Sequence, residues 1–371
     1  MRIHYSTRAL LILVLLLSLV SAPVAQVARL ERRQAAAVRR LDELGGLVLG
    51  TPPQSSFWPW IPSFVANHYA AHYVELKGAQ FDDETLAVLA DIRRIEALLL
   101  TDTTATGKCL RDAPGLAAVD GFTVDHTPLL GSELAKSAIG PQLTSLSMWG
   151  ETIDDSLVPW FKKLSRLERA DLRGTRIGDD AVRALGGLRN LQRLDLAGTQ
   201  ITGRCLKSLN QLDQLERLVL TRTAVDDAGL AKLGPLPKLG LLSLKDTQVT
   251  DAGLVHLGKL PRLDFLVLDG ARITGSGLAA LKDCRSLTTL SLQRLSLDEA
   301  ALEQLLELPN LELTSLDDTD VTDAVVDTLV RLPKLSAVRI RRTRITEQGC
   351  KRLQAARPDV DVEYESKNAS P

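Results

Sequence analysis

Gly240-Leu-Leu-Ser-Leu-Lys-Asp-Thr-Gln-Val-Thr-Asp-Ala-Gly-Leu-Val-His-Leu-Gly-Lys-Leu-Pro-Arg-Leu263 decides how this chain folds. Its opening alternates, with Leu242 and Leu244 on one side and Leu241, Ser243 and Lys245 on the other, which is the period of a short strand. Thr250-Asp251 is an N-cap signal. Leu254, Leu257 and Leu260 follow at helical spacing, and Pro261 stops the helix. The unit reads strand, turn, short helix, return.

The same grammar runs outward in both directions. Twelve consecutive blocks of 24 residues, from His72 to Asp359, share one register without insertion or deletion. The fifth position is Leu76, Leu100, Val124, Met148, Leu172, Leu196, Leu220, Leu244, Leu268, Leu292, Leu316 and Ile340, apolar every time. A fixed period of this size implies a solenoid, because one such unit cannot bury its own apolar face and must stack on its neighbours. Stacking places a parallel sheet on one side and helices on the other. Helices need about 8–10 Å of width against ~4.8 Å for strands, so the expected solenoid curves with the sheet on its concave face.

The eighth position is Thr in eight of the twelve blocks, among them Thr175, Thr199, Thr223, Thr247, Thr319 and Thr343. A buried hydroxyl there can bond the backbone of the turn, where the chain is expected to have left the sheet ladder. Blocks two and three (96–143) depart from the pattern. They carry Pro114, Pro128 and Pro141, and Ala113 and Ser137 replace the helix leucine seen at Leu257. Irregular turns are expected there. Thr314 interrupts the apolar third-position column, and Val360-Asp-Val-Glu-Tyr364 reads as a terminal strand after block twelve.

Leu191-x-x-Leu194-x-Leu196-x-x-Thr199-x-Ile201 resembles the leucine-rich repeat, with Thr where that family commonly has Asn or Cys. Val249-Thr-Asp-Ala-Gly-Leu254 resembles the bacterial 24-residue "ITDAGL" repeats. Bacterial proteins of that kind often carry an N-terminal apolar anchor, a basic helix ending in Gly-Gly and a tryptophan-containing segment, and the order here is similar. The resemblance covers nearly the whole chain. It implies an α/β leucine-rich-repeat horseshoe of about twelve repeats plus a terminal strand, protein recognition on the concave face, and no catalytic residues to transfer.

The N-terminal region divides further. Ala9 to Val20 is almost wholly apolar and continues through Pro23 to Ala28. This run lies at the border between a spanning helix of ~17–25 residues and a signal-peptide core of ~7–15. Val20-Ser-Ala22 is a small-residue cleavage site, but Pro23 directly after it hinders processing. The reading taken is a single-pass transmembrane anchor over residues 9–28. A cleaved secretory signal, releasing a secreted or envelope protein, is the alternative. Arg29, Arg32, Arg33, Arg39 and Arg40 outnumber the two arginines before the run and, by the positive-inside bias, put the repeats on the cytoplasmic side. Leu30, Ala37, Val38, Leu41 and Leu44 share one helical face opposite those arginines, and Gly45-Gly46 ends the helix. Such a helix either lies on anionic headgroups or packs its apolar face on the first repeat. Trp58, Trp60, Phe64 and Tyr69 are expected to cap the open end of the solenoid. The resulting organisation is 1–28 anchor or signal, 29–71 amphipathic helix and aromatic cap, 72–364 repeats and 365–371 disordered tail.

Composition narrows function. With 45 basic against 46 acidic side chains, a nucleic-acid partner held by phosphate neutralisation is not indicated. Cys109 and Cys205 share a repeat position four units apart, about 19 Å at ~4.8 Å per strand, beyond disulfide reach. Cys284 and Cys350 are about three units from any neighbour, so all four cysteines read as small core residues. The five histidines have no metal spacing. Gly275-Ser-Gly277 mimics a dinucleotide fingerprint, but Gly229 and Gly253 occupy the matching repeat position, so it is repeat grammar. No nucleophile–base arrangement is discernible, and neither an enzyme, a cofactor nor a small-molecule substrate is expected.

Positions two, four and six of each block face the concave side, and stacking turns them into columns. Column two carries Arg169, Arg193 and Arg217, column four Asp171 and Asp195 beside them, and column six Trp149 and Arg173. The same face then turns apolar at Val219, Leu241, Phe265 and Val267. An aromatic and aliphatic patch bordered by arginines has the composition of an interface core. Blocks four to nine are therefore expected to hold the contact surface for a protein or peptide partner of a membrane-anchored scaffold. A weaker alternative is an F-box-like ubiquitin-ligase substrate adaptor, since similar repeats occur in F-box proteins, although nothing before His72 resembles an F-box.

Overall fold

The computed structural model describes residues 26, 29–51, 70–297 and 299–366. Its contacts divide the chain into two compact units, Met1–Gln142 and Leu143–Pro371.

In the first unit a helix over residues 29–43 precedes strands β1 (Leu47–Thr51), β2 (Ala70–Lys77), β3 (Ile95–Thr101) and β4 (Gly121–Asp125). β1 pairs antiparallel with β2, whereas β2, β3 and β4 run parallel. The helix buries Ala37, Leu41 and also Gln34, while Leu30 is exposed rather than on the packed face. Gly46 N–H donates to the Leu41 carbonyl and Gly45, at φ +85°, to that of Asp42, so the expected Gly-Gly stop is a Schellman closure. A Cβ on Gly46 would lie 2.7 Å from Leu76 of the first repeat, and Glu31 pairs with Arg93 at 3.6 Å. The helix therefore packs on the repeats. Repeats two and three are irregular as expected. Block two holds two short 3-10 turns, Lys108–Leu110 and Pro114–Ala118, and block three a single four-residue helix, Gly131–Leu134.

The membrane reading needs correction. Among the described residues no helix is long and apolar enough to cross a membrane, against the expected transmembrane helix and the single-pass, cytoplasmic placement built on it. The helix over 29–43 is amphipathic, with Arg29, Arg32, Arg33, Arg39 and Arg40 exposed and its apolar side used in packing. All but Gln26 of the 9–28 run, and Trp58, Trp60, Phe64 and Tyr69 of the expected cap, lie outside the described residues.

In the second unit ten parallel strands follow in sequence order: β5 (Ser145–Trp149), β6 (Arg169–Asp171), β7 (Arg193–Asp195), β8 (Arg217–Val219), β9 (Leu241–Ser243), β10 (Phe265–Val267), β11 (Thr289–Ser291), β12 (Leu313–Ser315), β13 (Ala337–Thr343) and β14 (Asp361–Ser366). Each faces the next at a 24-residue offset, so Arg169, Arg193, Arg217, Leu241, Phe265, Thr289 and Leu313 are successive partners. Third- and fifth-position side chains such as Leu242 and Leu244 are fully buried. The last strand runs to Ser366, two residues into the segment expected as a tail, and Glu365 pairs with Arg342 at 3.5 Å; residues 367–371 lie outside the described residues.

Three devices recur with the period of the repeat. In the second unit the eighth-position threonines bond the fifth-position carbonyl of their own repeat, as in Thr247 Oγ1 to the Leu244 carbonyl at 2.6 Å and Thr175 Oγ1 to that of Leu172 at 2.6 Å, whereas Thr103 and Thr127 of the first unit bond each other at 3.0 Å. The chain leaves the ladder here as expected: Asp246 N–H still donates to the Asp269 carbonyl of the next repeat at 2.8 Å, but Thr247 N–H turns back to the Leu244 carbonyl of its own repeat at 3.3 Å. Every seventh position adopts positive φ, yet seven are not glycine: Asp102, His126, Arg222, Asp246, Arg294, Asp318 and Arg342. That conformation costs an ordinary L-residue about 1–2 kcal/mol, and its recurrence shows the turn's bonding overriding local preference.

The third device explains the Thr-Asp-Ala-Gly motif. Thr250 does cap its helix, accepting from Ala252 N–H at 3.3 Å. Asp251 instead reaches the next repeat, where it accepts from Thr274 Oγ1 at 2.6 Å and from the backbone N–H groups of Thr274, Gly275 and Gly277 at 2.9–3.1 Å. Asp227 does the same for Thr250, Asp179 for Thr202 and Asp323 for Thr346 in this unit, and Asp83 for Thr106 in the first. The small residue that follows is forced by this carboxylate: a Cβ on Gly253 would lie 2.3 Å from Asp227 Oδ1 and one on Gly349 2.1 Å from Asp323 Oδ1.

Candidate interaction face

The expected side-chain columns fall in register on β5–β10. Arg169, Arg193 and Arg217 are exposed and face one another in register across β6, β7 and β8. Neighbouring like charges at one strand spacing are unfavourable unless compensated. Arg169 has only a 4.0 Å approach to Glu168, and among the described residues no carboxylate lies within ion-pair distance of Arg193 or Arg217.

The two aspartates beside them are otherwise engaged. Asp171 is gripped by Arg173, whose Nε donates to both carboxylate oxygens at 3.0 Å, and this pairing raises the affinity of Arg173 for its proton. The Arg173 guanidinium also sits 5.7 Å from the centre of the Trp149 ring, a cation–π distance. Trp149 Nε1 is buried with no partner among the described residues. Asp195 accepts from Ala197 N–H at 3.0 Å. Burial pushes its carboxyl above the ordinary carboxylate range, with Asp171 adding to the rise against the Ala197 bond and the charges of Arg173 and Arg217.

Between these side chains lies a shallow depression of about 250 Å³, lined by Ser145, Ser147, Arg169, Arg193, Asp195 and Arg217 among others. Ser145 and Ser147 were not singled out from the sequence. The available signal was their place at positions two and four of block four, where small polar groups leave room beside Arg169. The apolar half of the expected surface is smaller than anticipated. Val219 is buried at 7% exposure, and Leu241 and Val267 are half-buried, leaving Phe265 at 37% as the exposed aromatic. The cysteines line no site. All four are free and buried, and burial pushes the thiols of Cys109 and Cys205 up to about 12, assisted by Asp83 and Asp179.

No protein-family model matches this chain, and no curated protein sequence does. Solved structures of similar fold exist. An internalin of Listeria monocytogenes is 16% identical at a TM-score of 0.53, over 80% of this chain and 90% of that one. The chain has a leucine-rich-repeat fold. A leucine-rich-repeat protein of Leptospira interrogans is 20% identical with TM-score 0.52, covering 75% of this chain and 74% of that one. A chain of the mouse RP105/MD-1 complex is 16% identical with TM-score 0.56, covering 76% of this chain and 56% of that one.

Proposed function

We propose that this leucine-rich-repeat chain, of the bacterial 24-residue type, is a non-catalytic scaffold that binds a protein or peptide partner through the strand face of repeats four to nine. Trp149, Arg169, Asp171, Arg173, Arg193, Asp195, Arg217, Val219, Leu241, Phe265 and Val267 form or support that surface. One observation carries the reading: Arg193 and Arg217 stand in register on an open sheet face with no carboxylate within ion-pair distance among the described residues, two strands from an exposed aromatic at Phe265. Arginines and aromatics that a fold leaves unmatched on one face are what binding hot spots are made of. The chain of similar fold from the mouse RP105/MD-1 complex was solved in a protein complex, in keeping with this use of the architecture.

The test is crosslinking in the native host followed by affinity capture, comparing the wild-type chain with an Arg193→Glu/Phe265→Ala double variant of unchanged melting temperature. A partner retained by the first and lost by the second is the expected result. An identical captured set from both would overturn the reading.

A further inference from the structure

Charge and spacing along the second-position column define the partner's chemistry more narrowly. We infer, building on the scaffold reading, that the column binds an extended acidic segment of a partner protein whose carboxylates lie over Arg169, Arg193 and Arg217 and whose next apolar side chain rests on Leu241 and Phe265.

The three guanidiniums project from adjacent strands at one repeat position. Asp171 is occupied by Arg173, and Asp195 is half-buried and tied to Ala197 N–H. What remains outward is cationic. Each guanidinium offers a planar fork of donors that matches carboxylate geometry, and bonds to charged acceptors are the stronger ones. The serine hydroxyls of Ser145 and Ser147 line the same depression and extend the polar end. Beyond Arg217 the column changes character abruptly, to half-buried Leu241 and then exposed Phe265.

From β6 to β10 there are four strand spacings, roughly 19 Å, the reach of about six extended residues. The order of chemistry is therefore acids first, apolar residue last, over one short segment. The contrast at the other end of the unit sharpens the point. Arg339 and Arg341 meet Glu363 at 3.3 and 2.6 Å, and Arg344 meets Asp320 at 3.2 Å, so arginines of β13 and the turn after it are neutralised from within.

The probe is a fluorescein-labelled hexapeptide, Glu-Glu-Glu-Ser-Leu-Gly, whose first, third and fifth side chains share one face when extended, titrated by anisotropy against the full chain at low salt. The Arg193→Glu/Arg217→Glu variant, and the wild-type chain with a Gln-Gln-Gln-Ser-Leu-Gly peptide, should each lose about tenfold or more in affinity. Phe265→Ala should lose about threefold or more. Thermal melts of the variants serve as folding controls, with Arg193→Gln/Arg217→Gln replacing any charge-reversal variant that melts early. Equal binding of the acidic and amide peptides, or full displacement by an equimolar amount of inorganic phosphate, would overturn the inference. The two readings separate cleanly: a captured partner that needs Arg193 and Phe265 but resists competition by the acidic peptide leaves the scaffold standing and removes the acidic-segment assignment.

Discussion

Two charged ladders run through this solenoid at the same 24-residue spacing, and they differ in where their partners are. On the turn side, Asp179, Asp227, Asp251 and Asp323 each take hydroxyl and backbone donors from the following repeat. On the strand face, Arg169, Arg193 and Arg217 stack on one another, and Arg193 and Arg217 find no acid within ion-pair distance among the described residues. A periodic charge whose partner recurs one period later is part of the scaffold. A periodic charge whose neighbour is its own kind carries a repulsion that only something outside the scaffold can relieve.

The comparison can be broken by substitution. Asp251→Ala strips acceptors from three backbone N–H groups and a hydroxyl, and should cost about 2–4 kcal/mol in urea denaturation. Arg193→Ala removes a like-charge neighbour from an exposed site and should stay within about 0.5 kcal/mol of wild type. Equal losses from both would mean the arginine column is structural after all.

Glycine positions sharpen the account of the seventh-position turn. Gly270 and Gly174 share positive φ, at +61° and +67°, but a Cβ on Gly270 would lie 2.2 Å from Asp246 Oδ1 whereas Gly174 faces open space. The gap at Gly270 lets Arg294 reach across a whole repeat to Asp246 at 2.9 Å. Gly174→Ala should cost about 1–2 kcal/mol for the backbone conformation alone, and Gly270→Ala measurably more, read as urea midpoints. Identical losses would remove the Asp246–Arg294 crossing from the account.

Buried polarity gives a smaller effect of opposite sign. Thr314 occupies an otherwise apolar core column, fully buried, and its hydroxyl has no partner among the described residues. Thr314→Val keeps the shape and removes the unpaired group, and should stabilise by about 1 kcal/mol.

The aspartate ladder also predicts a pH dependence. Burial would raise the Asp251 carboxyl, but the Thr274 hydroxyl and the N–H groups of Gly277, Thr274 and Gly275 outweigh it and hold the group below the ordinary range. Its contribution is present above the ordinary aspartate value near ~4 and is lost as pH falls through the lower folded value. Melting temperature should hold between about pH 7 and 5 and drop below about 4, with a shallower drop in Asp251→Asn.

Much of this was legible in the sequence because strands and register are local patterns repeated at fixed spacing. The fifth-position leucines, the Thr247-type hydroxyl bonds and the β14 strand all follow from periods of two and 24. The Asp251 contact was not, because a carboxylate at the first position of a helix reads as part of its cap when its real donors lie 23 to 26 residues ahead. The seventh-position turn was hidden for a related reason, since Arg222, Arg294 and Arg342 carry no sign of positive φ when read singly. Column membership placed Val219 on the contact face, but its burial depends on neighbouring side chains that periodicity does not weigh. The transmembrane expectation rested on residue counts alone, and the described helix that follows the apolar run spends its apolar side on the first repeat.

The direct test of the central claim is a double-mutant cycle pairing Arg193→Ala in the chain with single Glu→Gln changes along the acidic hexapeptide. The account predicts a coupling energy of about 1 kcal/mol or more at one peptide position and near zero at the others. Zero coupling at every position would contradict it, because the arginine column would then be making no specific contact with the acids it is said to receive.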